Sequence, residues 1–338
     1  MYVELIPEAG KFYKVNMHCH TTLSDGKQTP EEVKQKYMEH GYSAVAFTDH
    51  EILLDHRDLC DENFVALHGY EVAFNAPSNG RGFNFCPVYH LNLIAKDQNN
   101  LLMPRFFKNR NPYYGKTREW VDEHAQYSST IDGYKYSIDW LNDYTKAVTE
   151  AGFLVNYNHP QWSLHDCRDY LGLEHIHSLE LINGGCILHS ENTSIHYAQM
   201  LRNGMRVVPT AGDDNHSAYE FAWGWTMIKA PELTYDALIS AYERGDCYAS
   251  CGPQILSLVL QDGKIRVKSS EAAAIVILSE GRFVTYRWNG GKPITEAEFD
   301  YRPDLFGKFF RIEVRDQYGR KAFSNAYYTE DIEKQLNQ

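Results

Sequence analysis

Between Lys14 and His216, apolar strand-like runs repeatedly end in, or contain, a histidine or an acid, and this pattern limits the fold more than any other feature of the chain. Lys14 to His20 alternates partly and closes on His18-Cys19-His20, and Ser43 to Thr48 runs into Asp49-His50. Phe64 to Phe74 carries Glu71, and Val88 to Ala95 carries His90. Phe153 to Asn158 precedes His159-Pro160, Leu179 to Asn183 is a further strand, and Arg206 to Ala211 leads into Gly212-Asp213-Asp214-Asn215-His216. Helical stretches separate several of these runs. Thr29 caps one, with Pro30 at its first position, Glu31 and Glu32 in its first turn, and Gly41 at its end. Ile138–Ala151 stops at Gly152, Glu191–Asn203 stops at Gly204, and Tyr235–Arg244 lies between a Thr234 cap and Gly245. Strands alternating with helices predict an α/β fold built on a mostly parallel sheet, open or closed into a barrel.

Two regions break the alternation. Residues 97–136 have no clean period and mix Arg105, Lys108, Arg110, Lys116 and Arg118 with many aromatics, so they read as an irregular insertion. Past Gly252-Pro253 come short strand-like runs at Ile255–Val259, Lys264–Lys268, Ala274–Leu278, Phe283–Trp288 and Phe309–Val314, separated by turn residues such as Asp262-Gly263. These predict a small C-terminal β-sandwich. The expected division is therefore 1–252 for the α/β unit and 253–338 for the β-rich unit.

The net charge of −12 argues against a long nucleic-acid partner, which calls for a basic surface. A small anionic substrate stays compatible, because bound divalent metals would set the sign of the local field. Seven cysteines, an odd number without a C-x-x-C pair, fit neither a disulfide framework nor a zinc finger and suit reduced thiols. The N-terminus has no apolar signal region and no run is long enough to span a bilayer, so a cytoplasmic, membrane-free protein is expected. The oligomeric state is open.

Nine side chains carry the chemistry: His18, His20, Asp25, His50, Glu71, His90, His159, Asp214 and His216. They fall at or near strand C-terminal ends, where sites form in parallel α/β sheets and barrels. His18 and His20 are two apart, so they share a strand face, and Cys19 points away as a packing residue. Taken singly, each piece has a plainer reading: a surface H-x-H, a helix cap at Thr48-Asp49-His50, a turn at His159-Pro160, a cap at Asp213-Asp214. The order and placement of the whole set point to metal. Nine ligands exceed the roughly four that one zinc takes, so two or three divalent ions sharing a bridging carboxylate are expected. Imidazole and carboxylate without thiolate suit zinc, iron or manganese. The other histidines, His40, His56, His68, His124, His165, His175, His177, His189 and His196, default to surface or helix-face roles.

With those motifs in view, the chain resembles the polymerase and histidinol phosphatase (PHP) superfamily. The resemblance rests on His18-x-His20 with TTLSDG, FTDHE at Phe47–Glu51, GYE at Gly69–Glu71, YHLNLIA at Tyr89–Ala95, NHP at Asn158–Pro160 and GDDNH at Gly212–His216. It spans about Val15 to Gly252. It implies a distorted seven-stranded (β/α) barrel, TIM-like, with a trinuclear metal site. Glu71 would bridge, with His18, His20 and Asp214 on one metal, Asp25, His50 and His216 on a second, and His90 and His159 with Glu71 on a third. Asp213 stands where relatives commonly have a small residue, which leaves two adjacent acids to choose between. Trp223–Ile255 and Arg311–Tyr328 look like the carbaryl hydrolase-like branch and its C-terminal β-domain.

The function expected is metal-dependent hydrolysis of a small phosphomonoester by a metal-bound hydroxide, with Asp214, Glu71 and His216 as candidate catalytic residues. Arg105, Arg110, Arg118 and Arg168 are the candidate phosphate grips. The alternatives are hydrolysis of a carbamate, ester or amide by the same centre, and a non-catalytic protein that binds metals and a ligand.

Overall fold

The computed structural model describes residues 2–110, 116–186 and 193–337. The chain opens with β1 (Tyr2–Glu4) and β2 (Lys11–Asn16). The first expected helix is α1 (Pro30–Glu39). Thr29 Oγ1 accepts the Glu32 N–H at 3.3 Å, and the Glu32 carboxylate accepts the Thr29 N–H at 2.9 Å. A cap of this kind is worth about 1 kcal/mol. β3 (Ala44–Phe47), β4 (Val65–Asn75) and β5 (Val88–Ala95) follow. The stretch expected to be irregular holds β6 (Phe106–Phe107), α2 (Arg118–His124) and β7 (Thr130–Ile131), and its residues 111–115 lie outside the described ones. Met103, Phe106, Phe107 and Val121 of this stretch join the core cluster that contains Phe74 and Tyr144. Their spacing obeys the surface they cover, so no helical or strand period shows in the sequence.

The alternation resumes with α3 (Ile138–Glu150), β8 (Phe153–Tyr157), α4 (Cys167–Tyr170), β9 (Ser178–Asn183), α5 (Thr193–Arg202) and β10 (Val208–Gly212). The start expected for the α5 helix, Glu191, lies outside the described residues. Then come β11 (Trp225–Ala230), α6 (Tyr235–Arg244) and β12 (Cys247–Ser250). The C-terminal part holds β13 (Ile255–Gln261), β14 (Lys264–Ala272), β15 (Ala274–Ser279), β16 (Val284–Trp288) and β17 (Ile294–Asp300). It closes with α7 (Pro303–Phe306), β18 (Phe309–Arg315), β19 (Lys321–Ser324), β20 (Tyr327–Tyr328) and α8 (Thr329–Leu336).

The molecule is a mixed α/β fold on one large sheet with a β-rich C-terminal region. The sheet runs in the order β10-β9-β8-β5-β4-β3-β2-β11-β12-β19-β18-β15-β16. The pairs β2/β3, β3/β4, β8/β9 and β9/β10 are parallel. β5 departs from the expected direction and is antiparallel to both neighbours, β4 and β8. The reason lies in the connection: between Asn75 and Val88 the only helical turn is a short one at Phe83–Phe85, so no crossover helix carries the chain back and a hairpin results. The β10 end of the path curls back onto β2. Asp214 N–H donates to His18 O at 2.9 Å, and Cys19 and Asn215 form an isolated parallel bridge.

A second sheet, β1-β13-β14-β17, faces the C-terminal end of the large one across a core that includes Leu258, Ile265, Ile277 and Phe310. The N-terminal strand therefore pairs with β13, a partner 250 or so residues away that no local pattern announces. Among the described residues, no helix is long and apolar enough to cross a membrane. Three histidines expected at the surface are buried instead: His56, His68 and His165. Each sits where an aromatic ring or a second polar group meets it, as His165 meets Tyr136 and Tyr157. His189 lies outside the described residues.

Candidate metal centre

β2 ends at Asn16, and the chain stays extended through His20, which keeps His18 and His20 on one face. Both Nε2 atoms point at the same two acids. His18 Nε2 is 3.3 Å from Glu71 Oε1 and 3.2 Å from Asp214 Oδ1; His20 Nε2 is 3.4 Å from Glu71 Oε2 and 3.0 Å from Asp214 Oδ1. Cys19 is fully buried on the other side, packed with Val33, Tyr37 and Phe47.

Glu71, from the middle of β4, is the hub. His90 Nδ1 lies 3.0 Å from its Oε1, His50 Nδ1 3.1 Å from its Oε2 and His159 Nε2 3.5 Å from its Oε1. Asp25 meets His216 Nε2 at 3.3 Å, His20 Nδ1 at 3.6 Å and His50 Nε2 at 3.8 Å. The ligand atoms fall into four compact groups: His18, His20, Glu71 and Asp214; His20, Asp25, His50 and His216; Glu71, His90 and His159; and His18, His159 and Glu180. All nine residues singled out in the sequence thus converge, with Glu71 common to two groups.

The local backbone is shaped for this convergence. Gly26 follows Asp25 so closely against His20 that a Cβ there would stand 2.6 Å from the His20 carbonyl carbon. Gly212 packs its Cα face on His18, where a Cβ would lie 2.6 Å from His18 Cβ. His159 (φ 24°) and Asp214 (φ 50°) both adopt left-handed backbone that side chains other than glycine rarely take. Strain of this kind persists where surrounding contacts over-determine it, and it gathers at functional sites.

The choice between the adjacent acids is physical. Asp213 turns away from the cluster and accepts the backbone N–H groups of Ala222, Trp223 and Gly224 at 2.7, 2.9 and 3.0 Å, with Tyr37 Oη at 3.0 Å. Burial pushes its carboxyl up to about 6 despite those donors. Asp214 faces His18 and His20. Burial works against its charge, yet those imidazoles and His216 hold it well below the usual carboxylate range. Glu71 is likewise buried and held low by His90, His18 and His50. His50 is driven down to about 3 by burial and by its neighbours His20 and His90, against the pull of Glu71.

The donor set fits divalent cations. The groups consist of imidazoles and carboxylates without thiolates, and two buried atoms within the cluster, His20 Nδ1 and Asp214 Oδ1, make no hydrogen bond. Buried polar atoms are almost always satisfied, and an ion would satisfy each of these two within its own group: His20 Nδ1 looks towards Asp25 Oδ1 at 3.6 Å, and Asp214 Oδ1 towards the Nε2 atoms of His18 and His20 at 3.2 and 3.0 Å.

Of the expected anion grips, Arg110 and Arg118 line a hollow of about 30 Å³ beside His50, together with Lys116, Leu23 and Trp120. Arg110 is already paired there with buried Glu51 and bonded to Ala73 O, and Arg118 donates to Arg110 O. Arg105 does not line this hollow. Arg168 is bound to Asp166 with its side chain 87 % exposed, and the structure does not bring it to the cluster. Two neighbours were not singled out from the sequence. Glu180 on β9 reaches His18 Nδ1 at 3.1 Å; its signal was an acid inside an otherwise apolar strand. Trp162 sets its ring 5.5 Å from His90 and 5.0 Å from His159, a half-buried aromatic wall.

Residues 16–149 match the family model described as PHP domain. No curated protein matches the chain. Among solved structures, it is similar to a two-domain protein from Bacteroides vulgatus containing a predicted PHP-like metal-dependent phosphoesterase, at 12 % identity and TM-score 0.47, covering 96 % of this chain and 98 % of that one. It is also similar to an amidohydrolase from Chromobacterium violaceum, at 16 % identity and TM-score 0.36, covering 61 % and 88 %. PsfC from Pseudomonas syringae is a third, at 13 % identity and TM-score 0.40, covering 69 % and 88 %.

Proposed function

We propose, from the match of residues 16–149 to the PHP domain model, that this chain is a PHP-domain protein and a metal-dependent hydrolase of a small phosphomonoester. The observation that carries the reading is the convergence of six imidazoles and three carboxylates around Glu71. Two or three divalent ions (zinc, iron or manganese) held there would lower the pKa of a water to near neutrality and neutralise phosphoryl oxygens. His18, His20, Glu71 and Asp214 hold one position; Asp25, His50 and His216 a second; His90 and His159, with Glu71, a third. Asp214 and His216 stand at the mouth of the cluster as proton acceptors, and Glu71 fixes the spacing between positions. Lys116 and Arg118, beside His50, supply positive charge for a phosphate, with Arg110 as the inner member of the same wall. We read the curled strands from β2 to β10 as a distorted seven-stranded barrel spanning 1–252, and 253–338 as a β-sandwich-like unit against it.

The test is a panel of phosphomonoesters offered to protein loaded in turn with zinc, manganese and iron. Aryl carbamates, esters and amides belong beside them, because Trp223–Ile255 and Arg311–Tyr328 resemble the carbaryl hydrolase-like branch. Phosphate release under at least one metal is expected. Turnover confined to carbonyl substrates would move the reaction to the second class, and no turnover of any member would overturn the enzymatic reading.

A further inference from the structure

We infer that Glu180 is a positioning residue that fixes the ring nitrogen by which His18 meets a metal; the inference rests on reading the cluster as a metal centre. Glu180 points inward from β9 and is 1 % exposed. Its Oε1 lies 3.1 Å from His18 Nδ1. Its Oε2 accepts the His159 N–H at 3.1 Å and the Asn183 Nδ2 amide at 2.9 Å. Glu180 Oε2 already accepts from two N–H donors, and with Oε1 accepting in the same way the hydrogen between Glu180 and His18 belongs to Nδ1. A neutral imidazole has one such hydrogen, and Nε2 is left with its lone pair. That is the nitrogen facing Glu71, Asp214 and His20.

The same carboxylate steadies the two strained arms of the site. It holds His159 through its backbone N–H, and it holds Asn183, whose Nδ2 also bonds Asp214 Oδ2 at 3.1 Å. His18, His159 and Glu180 lie close enough together to hold an ion themselves. Both Glu180 oxygens are already engaged by donors, however, and His18 stands between them and the Glu71 hub, so Glu180 acts through His18 rather than as a ligand.

Glu180→Gln separates these roles. A glutamine has one acceptor oxygen and one amide donor, so it cannot accept from His18 on one side and from His159 and Asn183 on the other. The measurements are metal stoichiometry and competition with a chelator, together with long-range imidazole ¹H–¹⁵N spectra of the zinc-loaded protein. We expect zinc on His18 Nε2 with a proton on Nδ1 in the wild type. In Glu180→Gln we expect that signature lost and one metal bound about ten- to hundredfold more weakly, with partial recovery in Glu180→Asp. Equal affinity and an unchanged His18 spectrum in Glu180→Gln would overturn this inference alone, while a wild type that takes up no metal would overturn both it and the metal reading. Should Glu180→Gln not fold, the wild-type spectrum decides: a proton on Nε2 and zinc on Nδ1 of His18 sinks the proposal.

Discussion

Asn158 donates its Nδ2 to Glu71 Oε1 at 2.8 Å, tying the end of β8 to the carboxylate on which the surrounding imidazoles converge. That oxygen also lies within 3.5 Å of His18, His90 and His159, so its direction governs more than one position of the cluster. Glu71→Gln is expected to remove metal from the protein and lower turnover by roughly 100-fold or more. Asn158→Ala, which leaves the carboxylate in place but unguided, is expected to cost about tenfold. Elemental analysis and steady-state rates check both, and full metal content in Glu71→Gln would contradict the hub role.

Removing metal should destabilise the fold, because the cluster then leaves buried acids and imidazoles with each other alone. An ion present at a hundred times its dissociation constant stabilises by about 2.7 kcal/mol. For a chain of this size that corresponds to a fall in Tm of roughly 4 °C for each such ion on exhaustive chelation. Calorimetry before and after chelation, with metal added back, measures it; an unchanged Tm would contradict tight binding to the folded state.

Gly212→Ala places a methyl group 2.6 Å from His18 Cβ and 2.7 Å from His18 N. Backbone does not yield as a flexible side-chain tip would. A loss of roughly 1–3 kcal/mol is expected, with weaker metal uptake because His18 is displaced. Gly319→Ala, at an open turn where nothing lies within 4 Å but φ is 81°, controls for backbone strain without crowding. Urea denaturation compares the two, and Gly319→Ala should leave metal uptake intact.

The cations beside His50 predict a split within the arginines. Arg118→Ala should raise KM for phosphomonoesters by about tenfold, roughly 1.4 kcal/mol, with kcat less affected. Arg168→Ala, whose guanidinium is exposed and held by Asp166, should leave both unchanged. An unaltered KM in Arg118→Ala would remove that residue from substrate binding.

His68 is fully buried, accepting the His56 N–H on Nε2 at 3.1 Å and donating from Nδ1 to Gln98 O at 3.1 Å. Burial, reinforced by His56, lowers its pKa to about 4. Between about 6.5 and 4 the unfolded chain binds a proton at this residue that the folded chain refuses, so stability falls as pH drops through that window. The full effect is roughly 3 kcal/mol. Denaturation curves across pH 7 to 4 should lose the equivalent of one proton of pH dependence in His68→Leu; an identical slope would refute the assignment.

The sequence by itself marked the main strands and helices between β2 and β10 outside residues 97–136, and the nine histidines and acids that come together, because strand ends, caps and clustered imidazoles leave local signatures. His18-x-His20 is legible as a pair since side chains alternate along extended chain. Tertiary structure alone decided the rest. Asp213 and Asp214 are identical as letters, and what separates them is a loop returning at Ala222–Gly224 whose N–H groups capture Asp213. The pairing of Arg110 with Glu51, a neighbour of His50 in sequence but an ion-pair partner of Arg110 only in space, was likewise set by the fold. Glu180 was invisible as a partner of His18 because the two are 162 residues apart and meet only when the strands curl. β1 found its place on β13 for the same reason. Pairing across such distances depends on which surfaces remain to be covered once the local elements have formed, and no single stretch of chain carries that information.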